Sequence, residues 1–117
     1  MLIRTAEFEM HDWLAAACRK RGFTAEWLRP HRAPPSRDTA AVMFDAGAWL
    51  EDEIDPLAEL AAAVDPAPVV VLTEFPRIDE FRRALAAGAK AVCSKPLLIE
   101  DLFWHVEQVL SNDEPVP

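Results

Sequence analysis

The sequence predicts an α/β domain in which a parallel β-sheet carries helices on both faces. Short apolar runs alternate with stretches of helical periodicity, which is the pattern of successive β-α-β units. Asp45, Thr73 and Lys95 each follow one of the apolar runs, and each is a residue type that handles phosphoryl groups. Because the carboxyl ends of parallel strands lie along one edge of the sheet, we expect these three side chains to share a pocket.

The first helix is predicted over about residues 9–21, with Gly22 ending it. Strands are predicted near residues 1–5, 23–28, 40–44, 69–73 and 91–94. The spacing of apolar residues in the first helix is i, i+3, i+4, i+7 and i+8, which defines one face. That face contains Met10, Trp13, Leu14, Ala17 and Cys18. Trp13 is therefore expected in the core.

The second predicted helix covers about residues 56–64. Asp55 and Pro56 match an N-cap followed by proline at the first helical position. The connection between the second and third strands, residues 29–38, contains three prolines. Proline removes a donor and clashes inside a helix, so a helix in this connection is expected to be shortened or missing.

Two more amphipathic helices are predicted in the second half of the chain. The first covers about residues 77–87 and is expected to bury Ile78, Phe81 and Leu85 before ending at Gly88. The second covers about residues 99–110 and turns five apolar residues inward. These are Ile99, Leu102, Phe103, Val106 and Val109.

The length of 117 residues fits one domain with a single core, and residues 1–110 are expected to form it. Residues 111–117 are polar and contain proline, so a disordered tail is expected. No basic-then-apolar leader and no apolar run long enough for a membrane span is present, which favours a soluble cytoplasmic protein. Cys18 and Cys93 lie in apolar contexts and are expected to be reduced core residues.

The formal net charge of −8 argues against a general nucleic-acid surface, which needs clustered Lys and Arg. The charge is uneven, with a balance of +2 over residues 1–40 and −10 over residues 41–117. The basic excess is explained either by a solvated surface or by a docking patch for an acidic partner. The three histidines form no zinc-binding pattern with the cysteines.

The residues around the three strand ends resemble the receiver domain of two-component response regulators, the CheY-like family. In that family the third strand ends in a phospho-accepting Asp, the fourth in Thr or Ser, and the fifth in Lys-Pro. Residues 73–95 keep the family's separation and its Gly-Ala pair before the last strand. The resemblance spans about residues 1–110 and implies a flavodoxin-like sheet in the order 2-1-3-4-5. It also implies a cis Lys95-Pro96 bond that aims the Lys into the pocket.

The sequence departs from this family at the first strand, where two adjacent acids normally hold Mg²⁺. Thr5 and Ala6 occupy those positions, and the nearest acids are Glu7 and Glu9. Mg²⁺ needs hard oxygen ligands, and a shift of one or two residues along a strand changes where a side chain points. We therefore expect no metal, with Glu7 and Glu9 as weak candidate ligands. Val92 also replaces the family's switch aromatic.

These departures resemble a pseudo-receiver, similar to the pseudo-receiver domain of the amidase antitermination regulator. The resemblance implies a phosphorylation-independent, non-enzymatic protein–protein interaction module. Two readings of Asp45 stay open: a phospho-acceptor with Thr73 and Lys95 in a phosphoryl pocket, or a carboxylate in a vestigial ion pair with Lys95. The first reading implies a single-domain response regulator that takes phosphate from a histidine kinase and uses Mg²⁺.

Two tryptophans are candidates for partner binding. Trp49 lies in an acidic connection beside the predicted pocket and could anchor a partner or close over Asp45. Trp104 lies on the last helix. In receivers, the face formed by the last strand and the last two helices is commonly used to dimerise or dock. Core packing is the alternative for both. An enzyme or nucleotide binder is disfavoured, because the glycines form no phosphate-cradling loop and no nucleophile–base pair is visible.

Overall fold

The computed structural model describes residues 1–35, 38–74 and 76–111. The described residues form five strands and four α-helices, with a helix after every strand except β2 and a 3₁₀ helix over Leu50–Glu53 before the second α-helix. The elements are β1 (Leu2–Arg4), α1 (Phe8–Lys20), β2 (Glu26–Leu28), β3 (Val42–Gly47), α2 (Ile54–Val64), β4 (Val69–Glu74), α3 (Ile78–Ala86), β5 (Ala89–Lys95) and α4 (Ile99–Ser111).

All five strands are parallel and lie in the order β2-β1-β3-β4-β5, which confirms the predicted fold class. β1 lies between β2 and β3, so that Ile3 is opposite Trp27 on one side and Met43 on the other. The order reverses between β1 and β3, which is where doubly wound sheets place their ligand sites. Lys95 and Pro96 are joined by a cis peptide bond, as predicted.

Alternate residues of each strand face opposite layers, which gives the sheet two cores. One core packs Ile3, Met43 and Val70 against α1 and α4. The other packs Leu2, Phe44 and Val71 against α2 and α3. Cys18 and Cys93 are free thiols in the first core, as predicted.

The bulge at the end of β3 has a glycine at its centre. Asp45 pairs with Leu72 whereas Gly47 pairs with Thr73, so one extra residue is accommodated on β3. Gly47 has φ +68°, a left-handed conformation that glycine adopts without steric cost. The bulge is at the carboxyl end of β3, where the candidate site lies.

The connection from β2 to β3 contains a turn at Pro30 and His31 but no helix in its described parts, residues 29–35 and 38–41. The three prolines therefore have the expected effect. Ser111 belongs to α4, whereas the rest of the predicted tail, residues 112–117, lies outside the described residues.

Two predictions of burial were wrong. Ile78, Phe81 and Leu85 are 72%, 39% and 40% exposed, because Glu80 and Ala84 form the inward face of α3 instead. Ala84 lets the helix approach the sheet closely, and Glu80 is held by hydrogen bonds in a capping box with Arg77. The predicted helical periodicity of α3 was correct, but the apolar face of this helix points outward.

Trp13 is likewise 42% exposed, at the border of a face whose smaller members are buried. The predicted start of α2 was also wrong. The 3₁₀ helix continues directly into α2 at Ile54, so Asp55 is not the N-cap and Pro56 is the third helical residue. Proline is tolerated there because the first-turn N–H groups have no acceptor within the helix. No helix in the described part of the chain is long and apolar enough to cross a membrane.

Candidate functional site

Asp45 and Lys95 meet at the carboxyl edge of the sheet. Lys95 Nζ donates a hydrogen bond to Asp45 Oδ1 at 2.7 Å, and the Asp45 side chain is only 5% exposed. Each residue lies within the last residues of its strand, and the parallel arrangement brings the two strand ends to the same edge. The pair places one negative and one positive charge together, so their charges offset each other.

Thr5 contributes the second contact to the Asp45 carboxylate. Its hydroxyl donates to Asp45 Oδ2 at 2.7 Å, and the residue is fully buried. The hydroxyl oxygen in turn accepts a hydrogen bond from the Glu7 backbone N–H at 3.1 Å, which fixes its orientation. Gly47 N–H donates to Asp45 Oδ1 at 3.1 Å. Thr5, Asp45, Gly47 and Lys95 are hereafter the Asp45 pocket.

Thr73 is adjacent to this pocket but its hydroxyl points elsewhere. The hydroxyl donates to the Gly47 carbonyl oxygen at 3.0 Å, and the residue is fully buried. Thr73 therefore ties the end of β4 to the bulge of β3. The predicted phosphoryl-pocket residues come to one edge, but in this arrangement only Lys95 contacts the Asp45 carboxylate directly.

Arg4 is a site residue that the sequence analysis missed. Its guanidinium donates from Nη1 to the Asp45 carbonyl oxygen at 3.3 Å and from Nη2 to Glu53 Oε2 at 2.9 Å. It also lies 4.3 Å from the centre of the Phe44 ring, and its side chain is 6% exposed. Arg4 thus joins β1 to the acidic 3₁₀ helix. The available signal was a charged residue at an inward-facing position of β1, on the same face as Leu2.

Trp27 connects the Asp45 pocket to the surface of α1. Its indole N–H donates to the Thr5 carbonyl oxygen at 3.0 Å, and its ring stacks on His11 with centroids 5.0 Å apart. The Arg29 guanidinium lies 4.5 Å from the Trp27 ring. Burial lowers the pKa of His11, and the positive charge of Arg19 lowers it further. Trp27 therefore holds the backbone of Thr5 in position.

The pocket does not fit the Mg²⁺ ion that the fold implies. A magnesium site needs carboxylates with oxygens free to coordinate the ion. Asp45 is the one carboxylate among the four pocket residues, and hydrogen bonds from Thr5, Lys95 and Gly47 use three of its roughly four acceptor positions. No group of three or more metal-ligating side chains occurs in the described ranges. The roles of Glu7 and Glu9 as metal ligands stay predictions.

The candidate partner-binding tryptophans are both on the surface. Trp49 is 67% exposed just before the 3₁₀ helix, so it does not close over Asp45. Trp104 is 57% exposed on α4. Further exposed apolar side chains lie on α3 and just before α4, and both helices flank the edge strand β5. We call this set the β5-edge surface: Ile78, Phe81, Leu85, Leu98 and Trp104.

Solved structures similar to this chain include response-regulator receivers. A CheY-like receiver domain protein from Methanospirillum hungatei superposes with a TM-score of 0.79 at 18% identity, covering 94% of this chain and 91% of that one. A receiver protein from Pseudoalteromonas atlantica gives 0.76 at 20% identity, covering 97% and 98%. This chain has the CheY-like receiver fold. At these identities the similarity establishes the fold.

A similar curated protein is the transcriptional regulatory protein PdtaR of Mycobacterium tuberculosis. It is 39% identical over 71 residues, which are 61% of this chain and 34% of that protein. The match therefore spans about a third of that relative's length. No protein-family model matches the sequence. In this chain the end of β1 presents the Thr5 hydroxyl and the buried Arg4, and the described residues between β2 and β3 form no helix.

Proposed function

We propose that this chain is an atypical receiver, a pseudo-receiver that acts in cytoplasmic signal transduction as a phosphorylation-independent protein–protein interaction module without enzymatic activity. The observation that carries the proposal is the occupied carboxylate of Asp45. Thr5 binds one of its oxygens, and Lys95 and Gly47 bind the other. The nucleophile of a receiver is here a structural anion.

Electrostatics supports this proposal. A cluster of carboxylates needs a divalent cation to offset its charge, whereas Lys95 alone offsets Asp45 in this pocket. Transfer of a phosphoryl group to Asp45 would add negative charge in a buried site. Stabilising that charge is the usual role of a bound metal ion. Without such an ion, the transfer has little to lower its barrier.

The β5-edge surface is the partner-binding face in this proposal. Singly exposed apolar residues are ordinary, but five of them flanking one strand edge indicate an interaction site. Tryptophan is enriched at binding hot spots, so Trp104 is the proposed anchor, with Trp49 as a second candidate on the loop beside the pocket. The partner is a histidine kinase, an effector or a second copy of this chain, and no nucleic acid or membrane is involved.

A phosphorylation assay tests the proposal. Acetyl phosphate with Mg²⁺ should leave the intact mass of the protein unchanged, because Asp45 is hydrogen-bonded at both oxygens and the other pocket residues Thr5, Gly47 and Lys95 bring no second carboxylate for Mg²⁺. An active receiver treated in parallel controls for the reagent. A phosphoryl adduct that disappears in Asp45→Asn would overturn the proposal.

The alternative is a single-domain response regulator phosphorylated on Asp45 by a histidine kinase. The retained contact between Asp45 and Lys95, with Thr73 at the next strand end, favours it. In that case Mg²⁺ would need a ligand beyond the first-strand residues Thr5 and Ala6. Glu7 and Glu9 are exposed and close in sequence, so Glu7→Gln or Glu9→Gln should then abolish the phosphoryl adduct, whereas Asp12→Asn, further along α1, should not.

A further inference from the structure

A cavity opens where the connection after β2 replaces a helix with proline-broken chain. Its volume is about 350 Å³, which is within the range of small-molecule sites. One wall is the segment from Arg29 to Pro34, and the opposite wall is α2, including Glu59 and Leu60. The cavity lies on the α2 face of the sheet, whereas the Asp45 carboxylate and Lys95 are not among its lining residues. It is a separate site from the Asp45 pocket.

Buried Arg4 lines this cavity. Its guanidinium has five N–H donors, and its described side-chain bonds to Asp45 and Glu53 use two of them. Glu53 offsets the charge of Arg4, but a planar guanidinium with donors left over still fits a carboxylate or a phosphate group. A buried arginine therefore forms a polar base for the cavity.

Further cationic side chains lie at the rim of the cavity. Arg29 and Arg32 both line the cavity and are both exposed, with His31 between them. His31 has φ +67°, an uncommon conformation for a residue other than glycine, which turns the chain at the rim. Glu59 on the α2 wall is the acid that lines the cavity, so an anion is favoured on the arginine side. The rim has a positive balance within a chain of net charge −8.

The rest of the lining is apolar. Leu28 contributes from the sheet, and Leu60 and Pro56 from α2, with the fully buried Phe44 behind them. Apolar walls with a few convergent polar groups are typical of small-molecule sites. The two kinds of lining select a ligand that has both an anionic group and an apolar body.

We propose that this cavity binds a small aromatic anion, with its carboxylate or phosphate group held by Arg4, Arg29 and Arg32 and its ring against the apolar wall. The binding itself does not depend on the proposed function. Because Arg4 also contacts the Asp45 carbonyl oxygen and Glu53, an anion at Arg4 lies one side chain from the Asp45 pocket. A ligand here would give a receiver an input other than phosphorylation.

Titration of the protein with benzoate and with phenyl phosphate, followed by amide NMR, tests this site. At least one should saturate with a dissociation constant of about 1 mM or tighter, given the size of such ligands. The shifted amides should include those of residues 28–33, and the two probes distinguish carboxylate from phosphate recognition. Inorganic phosphate lacks the aromatic ring and benzyl alcohol lacks the anionic group, so both should bind far more weakly.

The matched variants are Arg29→Gln with Arg32→Gln at the rim, and Arg19→Gln with Lys20→Gln at the exposed end of α1. Both pairs remove the same charge. The rim pair should weaken binding about tenfold through loss of charge-assisted hydrogen bonds, whereas the α1 pair should change it by less than about twofold. The proposal is overturned if neither aromatic anion saturates, if either control compound binds equally well, or if both double variants weaken binding alike. None of these results bears on phosphorylation of Asp45.

Discussion

The hydroxyl of Thr5 donates a hydrogen bond to Asp45 Oδ2 across 2.7 Å at the end of the first strand. In the proposed pseudo-receiver, this donor stands where the resemblance to receivers implies a metal-ligating acid. The carboxylate of Asp45 is consequently stabilised from within the chain, by Thr5 and Gly47 as donors and by Lys95 as counter-charge. The properties of the pocket follow from this substitution.

Replacing Thr5 by Asp should restore a requirement for a divalent cation. The new carboxylate would face Asp45 at close range, and two buried like charges repel each other. We expect the unfolding free energy to fall by about 1–3 kcal/mol, as for a buried group that loses its hydrogen bond. Millimolar Mg²⁺ should recover part of that loss, measured by chemical denaturation with and without the ion.

The control for this experiment is Thr24→Asp, which adds the same charge at an exposed position. Its stability should not respond specifically to Mg²⁺. If Thr5→Asp is as stable as the wild type and insensitive to Mg²⁺, the assignment of Thr5 as the replacement for a metal ligand is wrong.

The ion pair between Arg4 and Glu53 should contribute more to stability than a surface pair. Arg4 is buried, so Arg4→Met removes the ion-pair partner of Glu53 and one hydrogen bond to the Asp45 carbonyl oxygen. We expect the unfolding free energy to fall by about 2–4 kcal/mol, because breaking a buried ion pair leaves the remaining charge desolvated without a compensating partner. Glu53 is more exposed, so Glu53→Gln should cost less.

The exposed pair of Arg83 and Asp79 provides the comparison, because it has the i,i+4 spacing of a helix surface pair. Arg83→Gln should change stability by about 0.5 kcal/mol or less. Equal effects of Arg4→Met and Arg83→Gln in urea denaturation would contradict the structural role of Arg4.

The two buried cysteines lead to a prediction of how the unfolding free energy depends on pH in the alkaline range. Burial raises the pKa of Cys18, and burial followed by the charge of Asp101 raises the pKa of Cys93 to about 11. The folded state therefore keeps these protons while the unfolded chain loses them at about pH 8.5–9. Stability should fall as the pH rises from about 9 towards 11. Cys93→Ala should reduce that slope in denaturation measured across this range.

The same thiols should react slowly with a disulfide reagent at pH 8, at a rate set by unfolding. The unfolded protein in denaturant is the control and should react at both positions at once. Fast reaction of either thiol in the native protein would contradict the burial of the first core.

Self-association tests the β5-edge surface. If the partner is a second copy, sedimentation should show a monomer–dimer equilibrium, and Ile78→Ser with Trp104→Ala should weaken it by about tenfold or more, as expected for hot-spot residues. Both side chains are exposed, so stability should change by about 0.5 kcal/mol or less. Phe8→Ala, at an exposed aromatic on α1, is the matched control and should have no effect. A dimer equally sensitive to Phe8→Ala would exclude this surface.

The sequence predicted the parallel sheet and the meeting of Asp45 with Lys95, because apolar runs and the parallel topology determine where strand ends lie. The strand order was predicted from the resemblance to receiver domains. The sequence also predicted the missing helix after β2 because proline acts locally on the backbone. The effect of proline depends on a short stretch of chain, and the position of the strand ends depends on the overall fold. Neither prediction requires knowledge of individual tertiary contacts.

The direction of α3 and the role of Arg4 could not be predicted in this way. By sequence, the apolar stripe of α3 is the stronger candidate for the buried face of this helix. The face that packs against the sheet is instead the one with Ala84, whose small side chain permits close packing. Gly88, just after α3, is needed for close approach to α2, because a Cβ there would lie 2.7 Å from the Cβ of Ala61. Arg4 looked like an ordinary charge, and its partner Glu53 is distant in sequence.

The most direct measurement of the central claim is an amide NMR titration of the protein with Mg²⁺ and beryllium fluoride, which mimics a phosphoryl group on a receiver aspartate. If Asp45 is a structural anion held by Thr5 and Lys95, the amides of residues 45–49, Thr73 and Lys95 should not shift. Saturable shifts at these residues that vanish in Asp45→Asn would contradict the claim and establish Asp45 as a working phospho-acceptor.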